Sequence, residues 1–380
     1  MNEAVITAVK RTAIGKIGGQ FAHLPPEKLV APLIRHLVRE FDIDGHSVDD
    51  VVLGNVVGPG GNIARLSALE AGLPITVPGV TVDRQCGSGL EAINQAARLV
   101  QAGAGEIYIA GGVESTSRAP WKVEKPSSLF DKNGPAVFTR ARFSPESIGD
   151  PDMCAAAENV AEAYQVTREE QDAYAFQSHQ KTTKARQEGV FESEILPIEG
   201  VAQDECPRPD TSMEKLSLLS PVFREGGTVT AGNACPMNDG AAVVLVMGLE
   251  KCLALKLKPL ARFVDAVAAG VDPNLLGTGP VPAVKKLFER QRIQEKDIDI
   301  VEFNEAFASQ VIASVKKLDI AYEKVNISGG ALALGHPYGA SGAILVARLV
   351  RELERNQSER GLATLGIGGG LGLATLLERL

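Results

Sequence analysis

Asp49-Asp50-Val51-Val52-Leu53-Gly54-Asn55, early in the sequence, is echoed far downstream by Asp299-Ile300-Val301-Glu302-Phe303-Asn304. The echo continues beyond the strand. Gly87-Ser88-Gly89 and Ala340-Ser341-Gly342 each open an apolar helix carrying an Ala-Arg-Leu-Val segment, at 97–100 and 347–350. Each helix leads to a strand ending in glycines, Gly111-Gly112 in one case and Gly368-Gly369-Gly370 in the other. Matching element order and spacing predict a duplicated domain. Strand-like runs alternate with helical patterns throughout, which makes the fold class α/β with largely buried sheets. At 380 residues the chain exceeds one ordinary core, in keeping with two or three compact units.

From about Arg118 to Thr228 the composition changes. Here lie the only tryptophan, Trp121, several prolines, and a polar helical stretch from Glu158 to Gln187. The segment interrupts the repeat and reads as an insertion over one face of the first half. The expected units are therefore residues 1–117, an inserted lobe at 118–228, the end of the first half at 229–248, and a second half at 249–380. Insertions positioned by rigid sheets commonly carry binding function; a surface elaboration with no ligand remains the alternative.

Apolar residues make up 44% and charged residues 23%, the balance of a globular protein. Many of the 39 glycines sit beside apolar runs, which points to tight turns and close backbone approaches. The formal net charge of −8, without a Lys/Arg block, argues against nucleic acid or an anionic membrane as partner. The opening, Met1 to Lys10, reads straight into a strand with no basic-then-apolar leader, and no apolar run reaches membrane-spanning length. Five scattered cysteines, with no paired metal spacing, predict a reduced cytoplasmic protein without a disulfide framework or metal site.

Cys86 lies in Val82-Asp83-Arg84-Gln85-Cys86-Gly87-Ser88-Gly89-Leu90, where a strand gives way to an apolar helix. A thiol at a helix N-terminus meets unpaired N–H groups and the positive end of the dipole, which favour the thiolate. From this segment alone, a nucleophile and a buried structural cysteine stand level. His336 is pinned on a Gly-Pro turn before the matching helix of the second half, so duplication would set it opposite Cys86 as base to nucleophile. The histidines at 23, 36, 46 and 179 read as surface residues. Asn304-Glu305 after a strand either orients a water or carbonyl, or caps the next helix. The glycines from Gly366 to Gly372 lack the spacing of a dinucleotide loop.

Together these segments resemble the thiolase family over nearly the whole chain. Its nucleophile motif is seen in Cys86-Gly87-Ser88, its second motif in Asn304-Glu305-Ala306-Phe307 and its third in Gly335-His336-Pro337. Gly111 to Ser115, Ala157-Glu158-Asn159, Thr228 to Asn233 and Asn238 to Ala242 match further segments in the right order. The resemblance implies a five-layered αβαβα core of two similar halves, with a loop domain inserted into the first. It implies an acyl-CoA C-acyltransferase of fatty acid metabolism, acting by reversible Claisen condensation of acetyl-CoA or thiolysis of a short-chain 3-ketoacyl-CoA. Coenzyme A thioesters would be substrates, with no resident cofactor, and the enzyme would be a homodimer or homotetramer.

In family terms Cys86 accepts the acyl group and His336 draws off its proton. Asn304 holds a water at the thioester oxygen, and backbone N–H groups of Cys86 and Gly368 stabilise the acyl-enzyme oxyanion. Arg208 falls where a loop-domain arginine meets the nucleotide end of CoA, and Met153 where a methionine lines a short-chain pocket. One role fails to carry over: the family's second cysteine, the acid/base for the α-proton, is here Gly366. Cys235 falls where a serine usually stands beside the pantetheine, so it is either a substitute acid/base or an inert small side chain. Asp83 for the usual asparagine, and Asp152-Met153-Cys154 for a His-Met-Gly stretch, are smaller departures. The loss at 366 leaves two alternatives: an acyltransferase or thioester hydrolase that acylates Cys86 but condenses poorly, or a non-catalytic acyl-CoA-binding subunit.

Overall fold

In the computed structural model, which describes residues 2–126, 128, 130, 132 and 134–380, the two echoes become two equivalent sets of elements. Met1, the start of the first expected unit, lies outside the described residues. The first half runs β1 (Ala4–Arg11), β2 (Gly15–Lys16), α1 (Pro26–Glu40), β3 (Asp50–Gly54), α2 (Ile63–Glu70), β4 (Gly79–Val82), α3 (Ser88–Ala102) and β5 (Ile107–Ser115). A lobe follows, with the hairpin β6 (Lys122–Glu124) and β7 (Ala136–Phe138) and helices α4 (Met153–Ala163), α5 (Arg168–Gln187) and α6 (Met213–Ser217). The chain then continues through β8 (Asn238–Gly248) and α7 (Leu249–Ala254). The second half holds β9 (Ala261–Gly270), α8 (Pro280–Gln291), β10 (Ile300–Phe303), α9 (Ala308–Leu318), α10 (Ala331–Leu334), α11 (Tyr338–Asn356), β11 (Arg360–Ile367) and β12 (Leu371–Arg379).

The strands run β4-β3-β5-β8-β1-β9-β12-β11-β10, with β2 beside β8. Read outward from the β1–β9 seam, the pairings are the same in both directions. β1 and β9 are each antiparallel to a partner (β8, β12), which is antiparallel to the next strand (β5, β11), which is parallel to the next (β3, β10). The seam itself is two residue pairs, Val5–Arg262 and Ile6–Ala261. Even the strand starts repeat. Asp49 accepts from the N–H groups of Glu106 and Ile107, and Asp299 from those of Glu359 and Arg360, so one aspartate per half satisfies the donors where β5 or β11 begins.

Helices α3 and α11 pack on each other between the two half-sheets, while α1 and α2 cover one outer face and α8 and α9 the other. This is the five-layered αβαβα arrangement of a thiolase-like fold. α11 is buried on every side from Gly339 to Val350, as a helix in a central layer must be. Among the described residues no helix is long and apolar enough to cross a membrane.

The polar stretch from Glu158 to Gln187 is two helices, not one. α4 ends at Ala163, Gln165 turns with φ +52°, and Thr167 starts α5 with a capping box to Glu170. The Thr-x-x-Glu spacing signals such a start. The lobe is held by buried charge: Arg11 of β1 pairs with Glu194 and Asp204, each at 2.7 Å. Phe191 lies under the guanidinium groups of both Arg11 and Arg348, at 5.5 and 5.1 Å.

The α3–α11 contact admits no side chain at its glycines. A Cβ on Gly89 would stand 2.6 Å from the Gly339 carbonyl oxygen, and one on Gly342 would strike the backbone nitrogen of Leu90. Gly342→Ala is expected to destabilise by about 1–3 kcal/mol or more, since backbone must move to admit it. Gly248→Ala, where only Val100 is near at 3.8 Å, should change stability by about 0.5 kcal/mol or less. Denaturant midpoints of the two variants check the contrast.

Candidate active site

The turn between β4 and α3 is built by its own side chains. Gln85 takes φ +47°, its N–H donates to Asp83 Oδ1 at 2.8 Å, and the Ser88 hydroxyl donates to the Gln85 carbonyl at 2.6 Å. A left-handed glutamine costs of order 1–3 kcal/mol, and here it sets Cys86 just before the first turn of α3. Cys86 is 8% exposed. The N–H of Gly368 and its own N–H both favour the thiolate, yet burial outweighs them and pushes the thiol up to about 12. The helix N-terminus alone therefore does not ionise it, contrary to the expectation from the sequence. The side chain rests as a thiol and needs a base.

His336 follows Gly335, whose φ of +114° and contact with Asn238 exclude a side chain. The His336 N–H donates to Asn238 Oδ1 at 2.8 Å. Its ring Nδ1 lies 2.6 Å from the Ser341 hydroxyl, which can donate to the Pro337 carbonyl at 3.2 Å. That chain leaves the proton on Nδ1 and the lone pair on Nε2, where the Asn304 amide nitrogen donates at 3.4 Å. Burial pushes the imidazole down to about 4, so it is neutral and able to accept a proton.

Asn304 follows β10, with its N–H on the Thr364 carbonyl. Glu305 faces away from this chain. Its carboxylate accepts from Tyr174, Ser178, Asn326 and the Leu332 N–H, at 2.7 to 3.1 Å, and ties α5 and α10 to the end of β10. Gly368 is covered by Phe143 of the lobe, whose ring would be 2.9 Å from a Cβ there. At Gly366 a Cβ would meet Gln310 Nε2 and the Gly277 carbonyl at 3.1 Å, close but yielding.

Met153, Cys154 and Cys235 pack together against Ala306 and Phe307. The Cys235 thiol is raised by burial first, and then by the thiols of Cys86 and Cys154, which puts the three within electrostatic reach of one another. Arg208 is apart from this group, on the exposed surface of the lobe.

Two buried residues escaped the sequence reading. His179, expected at the surface, is buried in α5, accepts the Arg208 N–H on Nδ1 at 3.2 Å, and is pushed down to about 4, by burial and then by Arg208. Its i,i+4 relation to the buried Ala175 on α5 was the available signal. Glu114 accepts from Asn55 Nδ2 and the N–H groups of Val56, Val57 and Gly339, and is raised to about 7 by burial. It clamps the start of α11 to the end of β5.

Known families and structures agree with this geometry. Residues 4–250 match the thiolase N-terminal domain and residues 257–379 the thiolase C-terminal domain. The chain is 51% identical over 383 residues to a protein of Staphylococcus epidermidis named "Putative acetyl-CoA C-acetyltransferase VraB", covering 100% of this chain and 99% of that one. Among solved structures it is similar to the Bacillus anthracis acetyl-CoA acetyltransferase, at a TM-score of 0.94 and 40% identity, covering 100% and 99% of the two chains. Human mitochondrial 3-ketoacyl-CoA thiolase in complex with CoA is similar at a TM-score of 0.94 and 35% identity, covering 100% and 98%.

Because His336 and His179 are held neutral near pH 4, the folded chain binds fewer protons than the unfolded one, whose histidines titrate near 6.5. Their contribution to stability is whole above about pH 6.5 and is lost as pH falls toward 4. The acid limb of kcat/KM, taken within seconds of a pH jump to outrun unfolding, is expected near pH 4. A limb at 6.5 would show that His336 is not the buried base.

Proposed function

The chain belongs to the thiolase family and is an acyl-CoA acyltransferase, and from that premise we propose which of its residues carry the reaction. Cys86 is the nucleophile. Its thiol proton passes to His336 Nε2, and the thiolate attacks the thioester carbon of an acyl-CoA. Proton transfer creates thiolate and imidazolium together, so each charge offsets the burial that opposes the other. The carbonyl oxygen takes the electron pair and is held by the N–H groups of Cys86 and Gly368. Preorganised donors of this kind contribute about 10²–10³-fold each. Collapse expels CoA, which regains the proton from His336, and acyl-Cys86 remains. The observation that carries this reading is the contact between the starts of α3 and α11, Gly89 against the Gly339 carbonyl, which brings the turn of Cys86 to the turn of His336.

Condensation then requires the carbanion of a second acetyl-CoA, and thiolysis of a short-chain 3-ketoacyl-CoA is the same path reversed. Asn304, with His336, orients a water at the thioester oxygen. Met153 and Cys235 line the acyl and pantetheine end, and Arg208 takes the nucleotide end. No resident cofactor is needed, because CoA is itself a substrate. A second reading gives Cys235 the proton duty absent at Gly366, supported by the coupling of its thiol to that of Cys86. We also propose a cytoplasmic enzyme of fatty acid metabolism that works as a homodimer or homotetramer. Exposed Ile75, Trp121 and Phe130 support self-association, which sedimentation equilibrium measures.

Acetyl-CoA is expected to add one acetyl group per chain, at Cys86, and Cys86→Ser to abolish it without loss of fold. Peptide mass mapping that finds the label elsewhere, or finds none, overturns the assignment. Arg208→Ala should raise KM for CoA more than it lowers kcat, since it meets the remote end of the ligand equally in ground and transition states. Steady-state thiolysis at varied CoA separates the two effects.

A further inference from the structure

The reaction proposed above moves a proton to or from the α-carbon, and Gly366 has no side chain to carry it. A protic group close to Cys86 and His336 is needed, and Tyr338 is one the reaction has not used. It is the first residue of α11, two positions after His336. Its ring meets the imidazole edge-on, with centroids 5.2 Å apart and planes at 87°. Its backbone is fixed on both sides. Pro337 packs on Gly240, and Gly339 gives its N–H to Glu114 while its carbonyl lies against Gly89, three residues beyond Cys86. The half-buried ring packs against the same cluster as Cys86.

We propose that the Tyr338 phenol carries the α-proton, the duty for which Gly366 has no side chain. The proposal rests on Cys86 being the acylated nucleophile. In thiolysis the Cys86 thiolate attacks C3 of the 3-ketoacyl-CoA and the C2–C3 bond breaks toward C2. The phenol O–H protonates C2, releasing acetyl-CoA and leaving a phenolate. The incoming CoA thiol gives its proton to that phenolate as its sulfur attacks acyl-Cys86. Cys86 departs as thiolate and regains the proton held by His336. Every proton is returned, and no reagent beyond the two substrates is consumed. In the reverse direction the phenolate removes the α-proton of acetyl-CoA.

The surroundings agree with a donor that stays charged with its proton until substrate arrives. Burial first, and then the thiols of Cys235 and Cys86, hold the phenol above the ordinary tyrosine range. The titratable groups around it are His336, which its ring meets, and Cys235, Cys86, Glu114 and Cys154, and any negative charge on the last four raises it further. Cys235 is the rival carrier, but it packs with Met153 and Phe307 against an apolar patch, whereas Tyr338 touches the base.

The test compares Tyr338→Phe with Cys235→Ser by two readouts: acetylation of Cys86 by acetyl-CoA, and exchange of the acetyl-CoA α-protons in deuterium oxide. Tyr338→Phe is expected to acetylate Cys86 as the parent does while losing about 10²–10⁴-fold in exchange and thiolysis, the usual contribution of an acid–base group. Cys235→Ser is expected to lose less exchange than Tyr338→Phe does. Exchange at the parent rate in Tyr338→Phe, or its loss in Cys235→Ser alone, overturns the proposal. A parent enzyme that exchanges protons but is never acetylated at Cys86 overturns the nucleophile assignment instead. Should Tyr338→Phe fail to fold, replacing Tyr338 with a fluorinated tyrosine of lower pKa should move the alkaline rise of exchange down by the phenol's own drop. An unmoved profile counts against the phenol.

Discussion

The contact between α3 and α11 is where two glycine-bearing helices approach more closely than side chains allow. Gly89 meets the Gly339 carbonyl, Gly342 meets Leu90, and Gly54 at the end of β3 would place a Cβ 2.5 Å from the Gly89 nitrogen. From Gly339 to Val350 α11 has no face to give to solvent, so it must be covered by α3 and by the half-sheets, while α3 keeps Arg98 and Leu99 exposed along one edge. The duplicated order follows, since two copies of one unit provide two helices and two sheets that cover each other. Because Gly89 meets the Gly339 carbonyl at the helix starts, the turn before α3 and the turn before α11 lie beside each other in the buried interior. One turn holds Cys86 and the other His336. The pairing proposed for Cys86 and His336 is thus a consequence of the packing.

Burial of this region sets its electrostatics. The Cys86 thiol, the His336 imidazole and the Glu114 carboxyl are all displaced toward their neutral forms, and in each the first cause is loss of water. In the proposed reaction the nucleophile is therefore protonated at rest and ionises by internal transfer. The donors that matter in the loaded state are backbone N–H groups, which cannot titrate. Glu114 shows the same economy: four donors converge on it, one of them the Gly339 N–H, so a buried carboxyl serves to hold the start of α11 in place. Phe143, leaning on Gly368, extends this restraint to the oxyanion donor from the side of the lobe.

What could be read from the sequence was whatever is written in local spacing. The Asp49 and Asp299 echoes, the two Ala-Arg-Leu-Val helices and the glycine-ended strands are periodic or repeated, and Cys86 and His336 sit at their punctuation. The tautomer of His336 was out of reach, because it depends on Ser341 lying one helical turn along and on a 2.6 Å contact. His179 looked like a surface residue in a polar helix with little amphipathic contrast. Its burial comes from the loop that carries Arg208, a long-range packing event. The break at Gln165 was signalled by Thr167 and Glu170 but obscured by polar residues running through it. The state of the Cys86 thiol was misjudged for a different reason: a helix N-terminus is a local feature, whereas the desolvation that outweighs it is a property of the whole core.

Gly366 separates two duties that might be thought inseparable. It pairs with Gly372 in the β11–β12 ladder, a register set by backbone hydrogen bonds, so removing a side chain there does not move Gly368 or its N–H. The acylation apparatus proposed for Cys86, His336 and backbone donors therefore does not involve a side chain at 366. Proton transfer at the α-carbon is not, because it needs one titratable atom at one place. A side chain lost from a strand can be replaced only by a group already at the site, and the residues that reach it come from α11 and from the segment before β8. Tyr338 and Cys235 stand on those two elements. Of the two, the one fixed by the α3–α11 contact inherits its position from the packing that built the site.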